Sequence, residues 1–140
     1  MTDAPRPANA AMAIAASALK AQQARMRVIA ENIANADSVA TTAGGDPYRR
    51  QAPVFTPVTV GQGMTGVAMT SVRPDETPFK TEYSPGNPAA DAKGYVKLPN
   101  VEPLVEAMDM REAQRAYEAN LNVIETARTM QTRTLDLLKR

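Results

Sequence analysis

Asp75 and Glu76 are adjacent carboxylates, the kind of pair from which a general acid and a general base can be made. They follow Pro74 and precede Thr77-Pro78, the composition of an exposed loop, so solvated charge is the reading that fits. Asp109 and Glu112 sit at helical spacing with Arg115 and Glu118 beyond them, and salt links on a helix surface explain that pattern without a metal. Arg49 and Arg50, after Pro47-Tyr48, form the one tight basic cluster; they either meet an acidic partner surface or belong to a polar loop. Gly61, Gly63 and Gly66 satisfy a Gly-x-Gly-x-x-Gly spacing. A dinucleotide site of that kind needs a strand before it, a helix after it and an acidic residue about 20 positions on. The residues after these glycines, Val67-Ala68-Met69-Thr70-Ser71-Val72, read as strand, so the glycines mark a turn. The chain has no His and no Cys, which removes the commonest general base, the commonest metal ligands and every thiol nucleophile. No catalytic, cofactor-binding or metal site is expected.

The rest of the composition points the same way. The chain has 140 residues, 44% of them hydrophobic, yet only 4% are aromatic and 25 are alanine. Many small apolar contacts and few large anchors make a weak globular core. A net charge of +1 gives no electrostatic case for nucleic acid or an anionic membrane as partner. No stretch approaches the roughly 20 apolar residues that a membrane-spanning helix requires, so no membrane insertion is expected. Ala8 to Ala18 contains Ala-x-Ala steps, but Asp3 offsets Arg6 before it and the run continues into a patterned amphipathic segment. No cleaved secretion signal is expected there.

The elements follow from the helix breakers. All seven glycines lie between Gly44 and Gly94, and proline is absent from Ala8 to Asp46 and from Leu104 to Arg140. The ends therefore read as helices and the middle as strands, turns and loops. Met12, Ala15, Leu19, Gln22, Met26, Ile29 and Ile33 fall at three- and four-residue steps, a heptad-like seam on a helix from about Ala8 to Asn35. A second helix is expected from about Glu102 to Leu138, with Asn100 or Glu102 as its cap and Pro103 in its first turn. Its apolar face is Met110, Ala113, Tyr117, Leu121, Ile124, Ala127, Leu135 and Leu138, while Leu104 and Met108 fall off that stripe and imply a second partner surface. In between, Val54–Val60 and Val67–Val72 flank Gly61-Gln62-Gly63 as a hairpin, with Phe79–Tyr83 and Tyr95–Leu98 as further short strands. The expected fold is mainly α: two long terminal helices paired as a coiled coil, with a small β-rich or looped middle segment. Residues 1–38 form the N-terminal arm, 39–100 the middle, and 101–140 the C-terminal helix that packs with the arm as one domain.

Two thin helices leave apolar surface uncovered, so further burial between subunits is expected. The residues expected to carry it are Leu19, Met26, Ile29 and Ile33 in front and Tyr117, Leu121, Ile124, Leu135 and Leu138 behind. Asn32 and Asn35 are expected to fix the first helix's end through hydrogen bonds to backbone groups.

Both ends also carry a resemblance. Ser17-Ala18-Leu19-Lys20-Ala21-Gln22, Arg25 and Ala30-Glu31-Asn32-Ile33-Ala34-Asn35-Ala36-Asp37-Ser38 are similar to the N-terminal signature of the bacterial flagellar rod and hook proteins, and Pro47-Tyr48-Arg49-Arg50 resembles the segment after it. Gly94-Tyr95-Val96-Lys97-Leu98-Pro99-Asn100-Val101 and the run from Met108 to Tyr117-Glu118-Ala119-Asn120 resemble the short, proximal-rod type of that family, which adds Asn120 to the expected interface. The resemblance implies a non-enzymatic building block of the flagellar basal body, exported unfolded through the flagellar type III apparatus without a cleaved signal and assembled in the periplasmic rod. Its partners would be copies of itself, other rod proteins, the rod–ring junction protein and the inner-membrane ring. The rival reading is a soluble helical-hairpin adaptor or chaperone, which gives no reason for the two end signatures to occur together.

Overall fold

The computed structural model describes residues 7–139. Asp3 and Arg6, which bear on the secretion-signal reading, lie outside the described residues. The element order is α1 (Pro7–Ala34), β1 (Gln51–Gly61), β2 (Met64–Pro74), β3 (Lys80–Tyr83), β4 (Tyr95–Leu98) and α2 (Pro103–Leu138). Two helices at the ends thus bracket a middle built from two separate two-stranded sheets, β1 with β2 and β3 with β4. No described helix is long and apolar enough to cross a membrane.

The helix ends have local causes. In α1 the only proline is Pro7, in the first turn, where its missing N–H would have no helical partner. The helix closes without a glycine. The Asn35 N–H and side-chain amide both donate to the Glu31 carbonyl, at 3.1 and 2.8 Å, and Ser38 bonds back to the Asn35 carbonyl. At α2, Pro103 opens the helix and the Glu102 carbonyl accepts the Glu106 N–H at 3.0 Å. Asn100 is not the cap, because its side chain is committed to backbone groups of Arg50 and Asp75.

The hairpin turns at Gln62-Gly63, where Gly63 takes a left-handed φ of +69°. Both strands run longer than the sequence reading, because in a two-stranded sheet each strand is an edge and Pro53 and Pro57 need no ladder partner. Thr56, Val58 and Val60 alternate inward while Phe55, Pro57 and Thr59 face out. In the smaller sheet the strands are antiparallel, pairing Lys80 with Leu98 through to Tyr83 with Tyr95, whose rings meet edge-on with centroids 5.3 Å apart.

The chain divides into two compact units. One gathers the chain up to Met26, the outer hairpin (Val54–Ser71) and Arg111 onward. There the Ser17 hydroxyl donates to the Ile14 carbonyl and accepts the Val67 N–H at 3.1 Å, tying α1 to β2. Asn9 bonds Gln131, and Arg25 pairs with Glu112 at 3.4 Å. The fully buried apolar residues of this unit are Ala15, Ala21, Ala113 and Ala127, all alanines. The other unit, Arg27–Pro53 with Val72–Met110, buries Val28, Ile29, Ala89, Val96 and Val101 together with the polar Asn32, Asn100 and Glu106.

At Gly66 the hairpin lies close against α1. A Cβ there would overlap the Ser17 hydroxyl and stand 2.6 Å from Val60 Cγ1. Gly66→Ala is therefore expected to cost about 1–3 kcal/mol by overpacking. Hydrogen exchange in the assembled protein checks it: the Val67 amide, which rests on Ser17, should lose its protection first.

Candidate functional site

A connected polar network lies in the second unit, where the end of α1, the strand entry at Tyr48–Gln51 and the first turns of α2 converge. Asn32 is 1% exposed and uses its whole amide. Its Oδ1 accepts from the Tyr48 hydroxyl at 2.7 Å and from the Gln51 N–H at 2.9 Å, and its Nδ2 donates to the Gln51 carbonyl at 2.8 Å and to Glu106 Oε2 at 3.5 Å. This two-way exchange with one residue's backbone imitates a strand pairing, so α1 holds β1 at its first residue.

Glu106 is fully buried, and a carboxylate in that position needs a close cation. Arg50 supplies it, donating Nε–H to Glu106 Oε1. The same guanidinium lies 3.5 Å from Asp75 and 3.7 Å from Asp109. Burial pulls Arg50 toward losing its proton, but the Glu106 bond and the charges of Glu106, Asp75 and Asp109 outweigh it and hold Arg50 above its ordinary value. Asn100 completes the frame: Oδ1 accepts the Arg50 N–H at 2.7 Å while Nδ2 donates to the Asp75 and Thr77 carbonyls at 2.9 and 3.1 Å. Arg49 donates to the Asp75 carbonyl at 2.7 Å and lies over the Phe79 ring at 4.1 Å. Asp75 is therefore not free loop charge as the sequence suggested, and Arg49-Arg50 bind within their own chain.

This arrangement ties the end of α1, the entry to β1 and the start of α2 together. Among the described residues no group of three or more acidic side chains is placed to hold a metal. Its titration has a sign on each side of neutrality. Backbone and side-chain hydrogen bonds from Thr77, with Arg50 beside it, hold Asp75 below the ordinary carboxylate value. Burial, with Glu31 and Glu106 nearby, holds the Tyr48 phenol above its ordinary value. Stability from Asp75 is present above its unfolded pKa of about 3.9 and is lost as pH falls through the folded value. Stability from Tyr48 is complete below about 10 and is lost as pH rises through the folded value. The urea midpoint should be flat across neutral pH and fall on both sides, with Tyr48→Phe flattening the alkaline limb.

The residues that the sequence singled out as an interface are placed variously. Ile29 and Asn32 are buried within the lone chain, and Leu19, Met26, Asn35, Tyr117, Asn120 and Ile124 are half-buried. Ile33, Leu121, Leu135 and Leu138 are exposed. The inward line of α2 runs Glu106, Met110, Ala113, Tyr117, Asn120, Ile124, Ala127 and Gln131, at alternating steps of four and three. Asn120 can sit there because its amide donates to the Ala116 carbonyl at 2.8 Å. Sequence reasoning singled out Asn32 for backbone bonds at the end of α1, whereas its backbone partner is Gln51 at the start of β1; it took Asn100 for a possible cap of α2 and missed Glu106 and the role of Arg50. The one available signal was a charged residue four positions before Met110 and seven before Ala113, on the apolar line itself.

Comparison with known proteins places these features. A family model described as "Flagella basal body rod protein" matches residues 12–40, and one described as "Flagellar basal body rod FlgEFG protein C-terminal" matches residues 92–137. The chain is 48% identical to the flagellar basal-body rod protein FlgC of Agrobacterium fabrum, over 95% of this chain and 96% of that one. It is 47% identical to the FlgC of Salmonella typhimurium over 89% and 92% of the two chains, and 38% identical to that of Borreliella burgdorferi over 90% and 94%.

Proposed function

The chain belongs to the flagellar basal-body rod protein family, and from that premise we propose that it is a structural subunit of the proximal rod that folds on assembly and passes torque toward the hook. The observation that carries this reading is the likeness to FlgC proteins along nearly the whole chain. Its partners on this reading are copies of itself, other rod proteins, the rod–ring junction protein and the inner-membrane ring, reached through the flagellar export apparatus into the periplasm. The role is architectural, with no reaction to perform.

The physical support is the distribution of burial. The first unit's fully buried apolar residues are alanines, and large hydrophobic side chains stay exposed along both helices, among them Ile14, Leu121, Met130, Leu135 and Leu138. Ordering a helix costs roughly 1–2 kcal/mol per residue in backbone entropy, and burying alanines offsets little of it. Neighbouring subunits supply the missing burial. Within the chain, α1 and α2 pair as an antiparallel coiled coil on this reading. It is supported by the Asn9–Gln131 and Arg25–Glu112 contacts in one unit, by Asn32–Glu106 in the other, and by the heptad spacing of the inward α2 residues.

The test is assembly. Ile124→Asp places a charge on the inward line and should abolish swimming and leave no complete rods in electron micrographs of basal bodies. Glu125→Ala, one position away and exposed, should leave both intact. Normal swimming with Ile124→Asp removes the assignment of Ile124 to the packed interface. Folding on assembly on this reading concerns the alanine-cored first unit, whereas the second carries its own buried frame, and circular dichroism of the dilute chain addresses it: a sharp, cooperative helical transition across both ends in the monomer overturns folding on assembly.

A further inference from the structure

In the first unit, Ala11, Ala15, Ala18, Gln22 and Arg25 follow one another along α1 at steps of four, three, four and three, so they share one side of that helix. That side is turned to α2. Ala11 borders an apolar groove together with Val123 and Ala127, and Arg25 pairs with Glu112 at 3.4 Å. Gln22, one turn before Arg25 on the same line, is therefore a polar residue in a seam made largely of alanine.

The Gln22 side-chain oxygen is enclosed, and no donor of the protein reaches it. Among the described residues it is the one buried side-chain polar atom in that condition. The nearby donors are committed elsewhere: Arg25 to Glu112, and the Asn120 amide to the Ala116 carbonyl at 2.8 Å. A buried acceptor without a partner keeps its full desolvation cost. The second unit has no such group. Its buried Asn32, Asn100 and Glu106 are all bonded, the Asn32 amide four times. The first unit also has little burial to set against the cost, since its fully buried apolar residues are alanines. Leucine forms helix about as readily as glutamine and would leave no acceptor behind. Glutamine at this position works against the stability of the lone chain.

We propose that Gln22 is a brake on the folding of the first unit. Its unmet acceptor weakens the closed seam of α1 and α2 in the lone chain, so the two helices close firmly only where neighbouring subunits add burial. This rests on the reading of the chain as a rod subunit that folds on assembly, and it names the residue that keeps folding from running ahead of assembly. A chain that travels unfolded needs that delay, because a seam closed early has to be opened again.

Gln22→Leu in the full-length chain tests it, with Gln23→Leu, an exposed neighbour on the same helix, as the matched control. Hydrogen exchange of the dilute chain is followed while trimethylamine N-oxide, an osmolyte that strengthens burial, is raised until the wild-type amides from Ala113 to Ala127 are half protected. At that concentration Gln22→Leu should shift the folding equilibrium of those amides about tenfold toward the protected form. The amides of β3 and β4, which belong to the second unit, should not respond, and Gln23→Leu should change neither set. In a strain whose motility depends on this chain, Gln22→Leu should reduce swimming and the amount of the protein in basal bodies, and Gln23→Leu should not. A residue that only supports the fold would lose stability and swimming together, whereas a brake gains the first and loses the second. An equilibrium that stays put or moves the other way shows that the acceptor is met, and overturns the proposal. A stabilised Gln22→Leu chain that swims normally overturns it as well and leaves the rod reading in place. Wild-type amides fully protected before any osmolyte is added overturn folding on assembly itself, and a wild-type chain absent from basal bodies overturns the rod reading.

Discussion

Glu106→Ala should lower the stability of the second unit by about 3 kcal/mol. Removing one partner of a buried ion pair generally costs about 3–5 kcal/mol, because the other charge stays behind without its counterpart. The lower end applies here, since Arg50 keeps Asp75 at 3.5 Å and Asp109 at 3.7 Å and its side chain is 21% exposed. Alanine is also the better helix former, which returns a few tenths of a kcal/mol at that position. The loss is legible in urea titrations followed by tyrosine fluorescence. The chain has four tyrosines and no tryptophan, and Tyr48, Tyr83 and Tyr95 all belong to this unit. A companion variant separates charge from shape. Arg50→Met with Glu106→Leu removes both charges while keeping side-chain volume, and it should be closer to the wild type than Glu106→Ala is. An unchanged midpoint in Glu106→Ala means that the pair contributes nothing to holding α2 against Arg50.

That pair also shows where reading the sequence stops. The helices were legible because proline and glycine are confined to the middle, and the start of α2 was legible because Pro103 suits a first turn. The hairpin was legible from Gly61-Gln62-Gly63, and β3 and β4 as strands from two short β-type runs, but nothing in those runs said that the two pair with each other. The seam of α2 was only partly so. Choosing apolar residues selects Leu121, which is 37% exposed, whereas the inward line passes through Asn120, whose amide is satisfied within its own helix. Glu106 was harder still. A charged residue on a helix reads as solvent-facing; its place on the line of Met110 and Ala113 is the one local sign against that, and its cation lies 56 residues away in the chain. Burial of a charge is a tertiary fact, decided by which distant group arrives beside it.

Asn32 tests the same frame from its other side. Asn32→Asp keeps the shape of the side chain and the oxygen that accepts from Tyr48 and Gln51, but replaces a donor by a second acceptor. The Gln51 carbonyl loses its partner at 2.8 Å, and a new carboxylate stands where Nδ2 lay 3.5 Å from Glu106. Two like charges in a buried site cannot both persist, so the new carboxyl holds its proton to a higher pH than it does in the unfolded chain. A folded pKa raised in this way makes the variant nearest to the wild type below about 3.9, the ordinary unfolded value, and the deficit grows as pH rises through the folded value. Near neutrality the deficit should reach about 3 kcal/mol, from one unpaired carbonyl together with the charge repulsion. Below the unfolded value the protonated carboxyl can donate to Gln51 as the amide did. Asn32→Ala, which removes every bond at once, should cost a similar amount with little change across the same range. Urea midpoints of the three proteins measured from pH 4 to 8 (about the span between an ordinary carboxylate and neutrality) decide it. Parallel deficits in Asp and Ala variants would mean that Glu106 exerts no electrostatic hold on Asn32, and that the amide matters there only as a filler of space.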